Sequence, residues 1–108
     1  GNEGLQVKLQ NGDWLNVPPI PGTFVVNIGD ELQRWSNDFL KSNTHRVINL
    51  SGRDRYSSPF FFHAGYDTVI DCLPICEEIK TSNKYPPNTA GELMWQRFRA
   101  TFSHHREL

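Results

Sequence analysis

The 108-residue sequence predicts a mainly β protein, in which short strands form a sandwich or roll and one helix follows at the C-terminal end. Apolar and polar residues alternate in several short runs, which is typical of half-buried strands. Glycine, proline, asparagine and aspartate separate these runs, as expected at turns. After residue 88 the large apolar residues recur at helical spacing instead.

The first element is a hairpin. Residues 4–9 alternate between apolar and polar side chains, as in a strand with one buried face. The Asn-Gly-Asp sequence at 11–13 is a turn signal, and Trp14–Val17 is predicted as the returning strand. The proline-rich residues 18–22 then form a loop or edge, because proline cannot donate a ladder hydrogen bond.

Further strands are predicted downstream. Residues 23–28 are a compact β-branched run, which predicts a strand buried on both faces. Glu31–Trp35 fits a single helical turn. The remaining predicted strands are Thr44–Leu50, Tyr56–His63 and Asp67–Leu73.

One helix is predicted over Ala90–His104. Thr89 and Glu92 match a capping box, in which hydroxyl and glutamate satisfy reciprocal backbone donors. The apolar residues that follow at helical spacing are Leu93, Met94, Trp95, Phe98 and Phe102. The polar, proline-bearing residues 81–88 predict a loop before the helix.

The composition limits the classes of partner. Lys+Arg (11) and Asp+Glu (12) nearly cancel, so neither nucleic acid nor an acidic membrane is expected. No apolar run is long enough to span a bilayer. Cys72 and Cys76 match no zinc spacing and favour two reduced thiols in a cytoplasmic protein.

Arg55 and Ser57 form a candidate anion site. On an extended strand alternate residues share a face, so Arg55, Ser57 and Phe61 are expected to point the same way. An inward arginine beside phenylalanines needs a partner, because an unpaired buried charge is strongly disfavoured. A bound carboxylate would accept two bonds from the guanidinium and a third from the serine hydroxyl. The alternative is an exposed arginine on an edge strand, which the spacing does not exclude.

His45 is a candidate metal ligand, although a single histidine is more often a surface or structural group. A neutral imidazole suits iron(II), but the oxygen-activating facial site needs two histidines and one carboxylate. His63 follows three phenylalanines and is expected to line the core or a pocket mouth. His105 and Glu107 spell a His-x-acid pair, but we interpret them as surface residues because no strand holds a chain terminus in place.

Several segments together identify a known family. They are Gly4–Val7, Asp13–Val17, Pro21–Asp30, Ser36-Asn37, Lys41-Ser42, His45–Val47 and Arg55–Ser57. Their order and spacing resemble the iron(II)- and 2-oxoglutarate-dependent dioxygenases of the isopenicillin N synthase-like type. The resemblance extends from Gly4 to about Pro74.

The resemblance implies a fold and a set of site residues. Residues 1–80 would be the C-terminal part of a double-stranded β-helix, a jelly-roll or cupin-like barrel, with the loop and terminal α-helix of residues 81–108 packing on it. His45 corresponds to the distal iron ligand. Arg55 and Ser57 correspond to the pair that grips the distal carboxylate of 2-oxoglutarate, and Phe61 to a substrate-contacting aromatic. Iron(II), 2-oxoglutarate and O2 are the implied cofactor and cosubstrates.

The family's other iron ligands, a His-x-Asp pair, are not found in this sequence and are expected upstream of Gly1. We therefore expect an excised C-terminal part of a longer enzyme, inactive alone, whose partner is the N-terminal remainder of the same polypeptide. Half a barrel would leave unpaired strand edges and an exposed aromatic face.

The resemblance implies oxidation of a small organic substrate, by hydroxylation or desaturation, with succinate and CO2 as co-products. One alternative is an isopenicillin N synthase-like iron oxidase that uses no 2-oxoglutarate, because residues 60–71 are similar to that enzyme. In that enzyme the Arg-x-Ser pair holds the substrate carboxylate instead. Another alternative is a non-catalytic barrel that binds a carboxylate at Arg55.

Overall fold

A computed structural model describes residues 3–74 and 82–102. The chain forms two compact units. The first contains Gly1–Ile28 and Ser42–Phe60, and the second contains Gly29–Lys41 and Phe61–Leu108. No helix within the described ranges is long and apolar enough to cross a membrane.

The first unit is built on a three-stranded antiparallel sheet with the order β2-β1-β3. Its strands are β1 (Leu5–Lys8), β2 (Trp14–Asn16) and β3 (His45–Val47). The predicted hairpin is confirmed: the backbone N–H of Leu9 donates to Asp13 O at 2.8 Å, which closes the turn. Gly12 occupies that turn with φ +93°, a conformation that glycine adopts at no steric cost.

The register of this sheet gives it two chemically different faces. Val7 lies opposite both Leu15 and His45, and directly opposed residues share a face. The apolar face therefore consists of Leu5, Val7, Leu15, His45 and Val47. The other face is polar and internally bonded, because Gln6 links Asn16 (2.6 Å) to Arg46 (2.9 Å).

The second unit combines short helices with a small sheet. Helix α1 covers Asp30–Trp35, which confirms the predicted helical turn. Strands β4 (Val69–Ile70) and β5 (Asn88–Thr89) pair antiparallel, and helix α2 (Ala90–Phe102) follows directly. The buried apolar residues of the described chain, Ile70 and Ala90, both lie in this unit, at 1% and 4% exposure.

The start of α2 confirms half of the predicted capping box. The backbone N–H of Glu92 donates to Thr89 Oγ1 at 3.2 Å. The reciprocal half is wrong, because the N–H of Thr89 donates to the side chain of Asn88 at 2.8 Å instead. The helix is confirmed as far as Phe102, and the predicted end at His104 lies outside the described residues.

A polar cluster holds the end of α1 to residues 82–85. Asn37 (φ 50°) and Asp38 (φ 70°) are left-handed, a region that these two residue types tolerate better than most. The Asp38 carboxylate accepts hydrogen bonds from Lys84 Nζ (2.8 Å), Tyr85 OH (2.7 Å) and Gln33 Nε2 (2.9 Å). Buried Asn37 accepts the backbone N–H of Lys84 at 2.9 Å.

Two predicted strands are absent. Residues 23–28 and 56–63 have no ladder partner in the described part of the chain and form no strand. The predicted burial of the first is also wrong, since Phe24 is 95% exposed. Phe60 and Phe62 are exposed as well, and the exposed aromatic face of a half-barrel stays a prediction. Strand propensity alone does not produce a strand, because each ladder needs a second strand to receive its hydrogen bonds.

The other predicted strands are shorter than expected. Thr44–Leu50 contains only β3, and Asp67–Leu73 contains only β4. The predicted loop at 81–88 ends in a strand, because Asn88 pairs with Ile70. Cys72 is half-buried and Cys76 lies outside the described residues, so the reduced thiols stay a prediction.

Candidate functional site

His45 is held at the start of β3 by backbone pairing on both sides. It pairs with Val7 across the sheet, and the preceding residue, Thr44, accepts the N–H of Lys8 at 2.8 Å. The N–H of Asn43 donates to Ile28 O at 3.0 Å, which fixes the chain before the strand. These bonds place an exposed imidazole on the apolar face of the sheet.

The hydrogen bond of His45 defines its tautomer. Its Nδ1 lies 2.8 Å from the backbone oxygen of Asn43, and a carbonyl oxygen can only accept. In the neutral ring Nδ1 therefore carries the hydrogen, and the lone pair of Nε2 is available to a metal. A ligating histidine usually has its other ring nitrogen fixed in this way.

The loop before Arg55 is closed by its own polar side chains. Asn49 Nδ2 donates to Arg53 O at 2.8 Å, and Ser51 Oγ donates to Asn49 Oδ1 at 2.7 Å. The N–H of Arg53 in turn donates to Ser51 Oγ at 3.2 Å. This bonded turn sets the direction in which the chain reaches Arg55.

Arg55 is half-buried and has no counter-charge among the described residues. Its Nε is buried and has no hydrogen-bond partner in that part of the chain. The Nε lies 3.3 Å from the point where a Cβ on Gly4 would stand. A delocalised cation with no ion pair in this part of the chain fits an anionic ligand at its terminal nitrogens.

His45 lies on β3, and the Arg55 side chain packs beside the residue that precedes β1. The N–H of Ile48 donates to Gly4 O at 2.8 Å, which extends the β1–β3 ladder to the point where Arg55 Nε packs. Ile48 is three residues beyond His45, about 10 Å along an extended strand. The structure thus places the Arg55 Nε beside Gly4, next to the β1–β3 ladder that carries His45, within the first unit.

Ser57 and Phe61 are less closely defined. Both are exposed, and Phe61 belongs to the second unit, where its ring stacks on that of His63 with centroids 6.2 Å apart. Residues 55–61 form no strand, so the alternation that predicted a shared direction for Arg55, Ser57 and Phe61 does not apply there.

Two contacts near these residues were not predicted. Gly4 lies beside the Nε of Arg55, and Glu31 contacts the segment that follows Phe61. One Glu31 oxygen accepts the N–H of Ala64 at 3.2 Å, and the other lies 3.6 Å from His63 Nδ1. Neither pair is close in sequence, so no local pattern indicates it.

A complete metal site is not present in the described residues. No group of three or more His, Cys, Asp or Glu side chains could hold a metal ion within residues 3–74 and 82–102. His45 offers one nitrogen ligand of the right tautomer. The His105 and Glu107 pair lies outside these ranges.

The sequence model of the 2OG-Fe(II) oxygenase superfamily matches residues 1–64, which include His45, Arg55 and Ser57. The chain belongs to this superfamily. Its members use iron(II), 2-oxoglutarate and O2. The predicted family is therefore confirmed.

Named relatives agree with this assignment. The chain is 46% identical over 101 residues to the 2-oxoglutarate-Fe(II) type oxidoreductase hxnY of Emericella nidulans, covering 93% of this chain and 29% of the relative. It is 40% identical over 100 residues to a homoarginine-6-hydroxylase of Oryza sativa, covering 91% of this chain and 30% of that enzyme. The chain thus spans about 30% of the length of these relatives.

Solved structures agree as well. A crystal structure of a 2OG-Fe(II) oxygenase family protein from Caulobacter crescentus matches with TM-score 0.83 and 41% identity, covering 92% of this chain and 34% of that one. A full-length Neurospora crassa protein, solved in complex with alpha-KG and 5-formyluracil, matches with TM-score 0.73 and 32% identity, covering 91% of this chain and 33% of that one.

Proposed function

We propose that this chain is the C-terminal portion of a non-haem iron(II)- and 2-oxoglutarate-dependent dioxygenase. The complete enzyme hydroxylates or desaturates a small organic substrate, with succinate and CO2 as co-products. The observation that carries the proposal is that His45, with Nε2 available, lies on β3, while Arg55, whose Nε has no partner among the described residues, packs beside Gly4 just before β1. The superfamily match and the share of each relative that is covered support it.

His45 holds the iron through Nε2 in this proposal. The hydrogen bond from Nδ1 to Asn43 O keeps the ring in the ligating tautomer and orients it. The remaining ligands, a His-x-Asp pair, come from the N-terminal remainder of the polypeptide. When bound, the iron couples the oxidative decarboxylation of 2-oxoglutarate by O2 to oxidation of the substrate.

Arg55 binds the carboxylate of 2-oxoglutarate that lies far from the metal. The guanidinium is planar, permanently charged and without an ion pair among the described residues, so a carboxylate neutralises it in a partly desolvated position. The hydroxyl of Ser57 donates a further bond to the same carboxylate. The backbone from His45 to Ile48 spans roughly 10 Å when extended, a length that suits a small dicarboxylate between metal and arginine in this proposal.

Phe61 contacts the substrate in this proposal. Its ring is 76% exposed and stacked on His63, and the backbone N–H of Ala64 donates to Glu31. An exposed aromatic ring on an anchored segment provides apolar contact area without a large cost in conformational entropy.

The barrel is completed by the N-terminal remainder. The double-stranded β-helix, with residues 1–80 in the barrel and residues 81–108 added to it, stays a prediction, as does the cytoplasmic location. The exposed apolar side chains of Phe24, Val26 and Phe60 support the proposal, because an isolated soluble domain rarely exposes so large an apolar surface.

The test is the stoichiometry of the full-length enzyme reconstituted with iron(II). Succinate, CO2 and dioxygen consumption are measured together, with 2-oxoglutarate present and absent. We expect succinate and CO2 to form in equal amounts, and only with 2-oxoglutarate. Dioxygen consumption without succinate would favour the isopenicillin N synthase-like alternative. Carboxylate binding without metal binding would favour a non-catalytic barrel.

A further inference from the structure

We propose that Gly4 is a positioning residue for Arg55: the missing side chain at residue 4 leaves the space in which the guanidinium is held. This inference rests on the proposed function, in which Arg55 binds the far carboxylate of 2-oxoglutarate. A Cβ on Gly4 would stand 3.3 Å from Arg55 Nε and 2.6 Å from the backbone oxygen of Ile48. The first distance is tight and the second is shorter than real Cβ contacts allow.

The backbone around Gly4 cannot easily move aside. Gly4 O accepts the N–H of Ile48 at 2.8 Å, and the next pair in the ladder is Leu5 with Val47. Gly4 also has φ +141°, a conformation that side-chain-bearing residues rarely adopt. A methyl group at residue 4 therefore strains the end of the β1–β3 ladder and pushes on Arg55, whose side chain is the softer neighbour.

The position of the guanidinium matters because its donors form a rigid fork. Arg55 Nε is buried without a hydrogen-bond partner among the described residues, so its place beside Gly4 is set by packing and not by a polar contact of Nε. With Nε covered, the two terminal nitrogens are left to meet the carboxylate. A displacement of even about 1 Å in a binding group of this kind can cost about 100-fold.

The experiment uses the full-length enzyme and the variants Gly4→Ala and Gly12→Ala. Gly12 is the matched control, because it also has positive φ (+93°) but an added Cβ meets nothing within 4 Å. The dissociation constant of 2-oxoglutarate is measured by calorimetry on the Mn(II)-loaded protein without dioxygen, together with Mn(II) affinity and melting temperature. We expect Gly4→Ala to weaken 2-oxoglutarate binding by about 10- to 100-fold at unchanged Mn(II) affinity. Gly12→Ala should leave both affinities within about twofold, the effect of a remote surface substitution.

A double-mutant cycle with Arg55→Ala separates the possible results. If Gly4 acts through Arg55, adding Gly4→Ala to Arg55→Ala causes no further loss of 2-oxoglutarate affinity. A second result is that Gly4→Ala lowers 2-oxoglutarate affinity equally in wild type and in Arg55→Ala, and a third is that it lowers the affinity in neither. Either of these two results overturns the role of Gly4 and leaves that of Arg55 intact. If Arg55→Ala itself leaves the affinity unchanged, the proposed function fails and the inference fails with it.

If Gly4→Ala does not fold, a measurement on the wild-type enzyme tests whether Arg55 Nε is covered beside Gly4. In the 15N-arginine-labelled wild-type enzyme, the Nε–H of Arg55 is expected to exchange with solvent far more slowly than that of Arg53, even before 2-oxoglutarate is added. Equal exchange rates would show that Nε is not covered by the Gly4 backbone and would overturn the inference.

Discussion

The Nδ1 atom of His45 lies 2.8 Å from the backbone oxygen of Asn43. Because that oxygen only accepts, the contact directs Nε2 outward with its lone pair free. Asn43 is itself fixed through the bond from its N–H to Ile28 O at 3.0 Å. The ring orientation is therefore set by the backbone of the first unit before any metal binds.

Replacing His45 by glutamine should remove a metal ligand. In the full-length enzyme we expect His45→Gln to lower iron(II) affinity by more than the roughly 10- to 100-fold loss typical of an outer-sphere residue. Equilibrium dialysis against iron(II) under argon measures it. His63→Gln is the control, since His63 contacts Glu31 in the second unit. Equal iron binding by wild type and His45→Gln would refute the ligand assignment.

Acid should weaken the cluster around Asp38. Hydrogen bonds from Lys84 and Tyr85 hold the pKa of this carboxyl well below its usual range. A carboxyl whose pKa is lowered by folding stabilises the folded state fully above its unfolded pKa of about 4. That stabilisation is lost progressively as the pH falls from there toward the lower pKa of the folded state. We expect Asp38→Asn to lower the melting temperature at pH 7. The difference in melting temperature between this variant and wild type should become smaller as the pH is lowered to 3. Asp67→Asn, an exposed substitution in the same unit, is the control. A difference in melting temperature that stays constant from pH 7 to pH 3 would contradict the stabilising role of the ionised Asp38 carboxylate.

Arg46 should contribute to stability and not to cosubstrate binding. Its guanidinium carbon lies 3.9 Å from the ring centre of Trp14, and its Nε donates to Gln6 Oε1 at 2.9 Å, on the face opposite His45. Arg46→Ala is expected to lower the free energy of unfolding by about 0.5–1 kcal/mol. Denaturant titration measures this, with Arg46→Lys as the variant that keeps the charge and loses the planar stacking. A fall in 2-oxoglutarate affinity would show that the two faces are wrongly assigned.

The elements that were predicted correctly depend on neighbours in sequence. The β1–β2 hairpin follows from alternation and the turn at Gly12, and α2 follows from helical spacing after Thr89. Two predictions failed for different reasons. Residues 23–28 have strand propensity but no ladder partner among the described residues, whereas the Thr89 N–H donates to the side chain of the adjacent Asn88 and not to Glu92.

The site shows the same division. The sequence proposes His45 and Arg55 because their motifs occur in the order of the superfamily, and their roles stay a prediction. The contact of Arg55 with Gly4 could not be predicted, since it joins residues from opposite ends of the first unit. The bond from the Ala64 N–H to Glu31 likewise spans 33 residues, and no periodicity connects two such positions.

The most direct test of the central claim is the affinity of the Mn(II)-loaded full-length enzyme for 2-oxoglutarate, measured by calorimetry in Arg55→Ala. Arg53→Ala, two residues away in the exposed loop, is the matched control. Loss of a partly desolvated charge pair should weaken binding by about 2–5 kcal/mol in the first variant only. If Arg55→Ala binds 2-oxoglutarate as tightly as Arg53→Ala, this arginine does not anchor the cosubstrate.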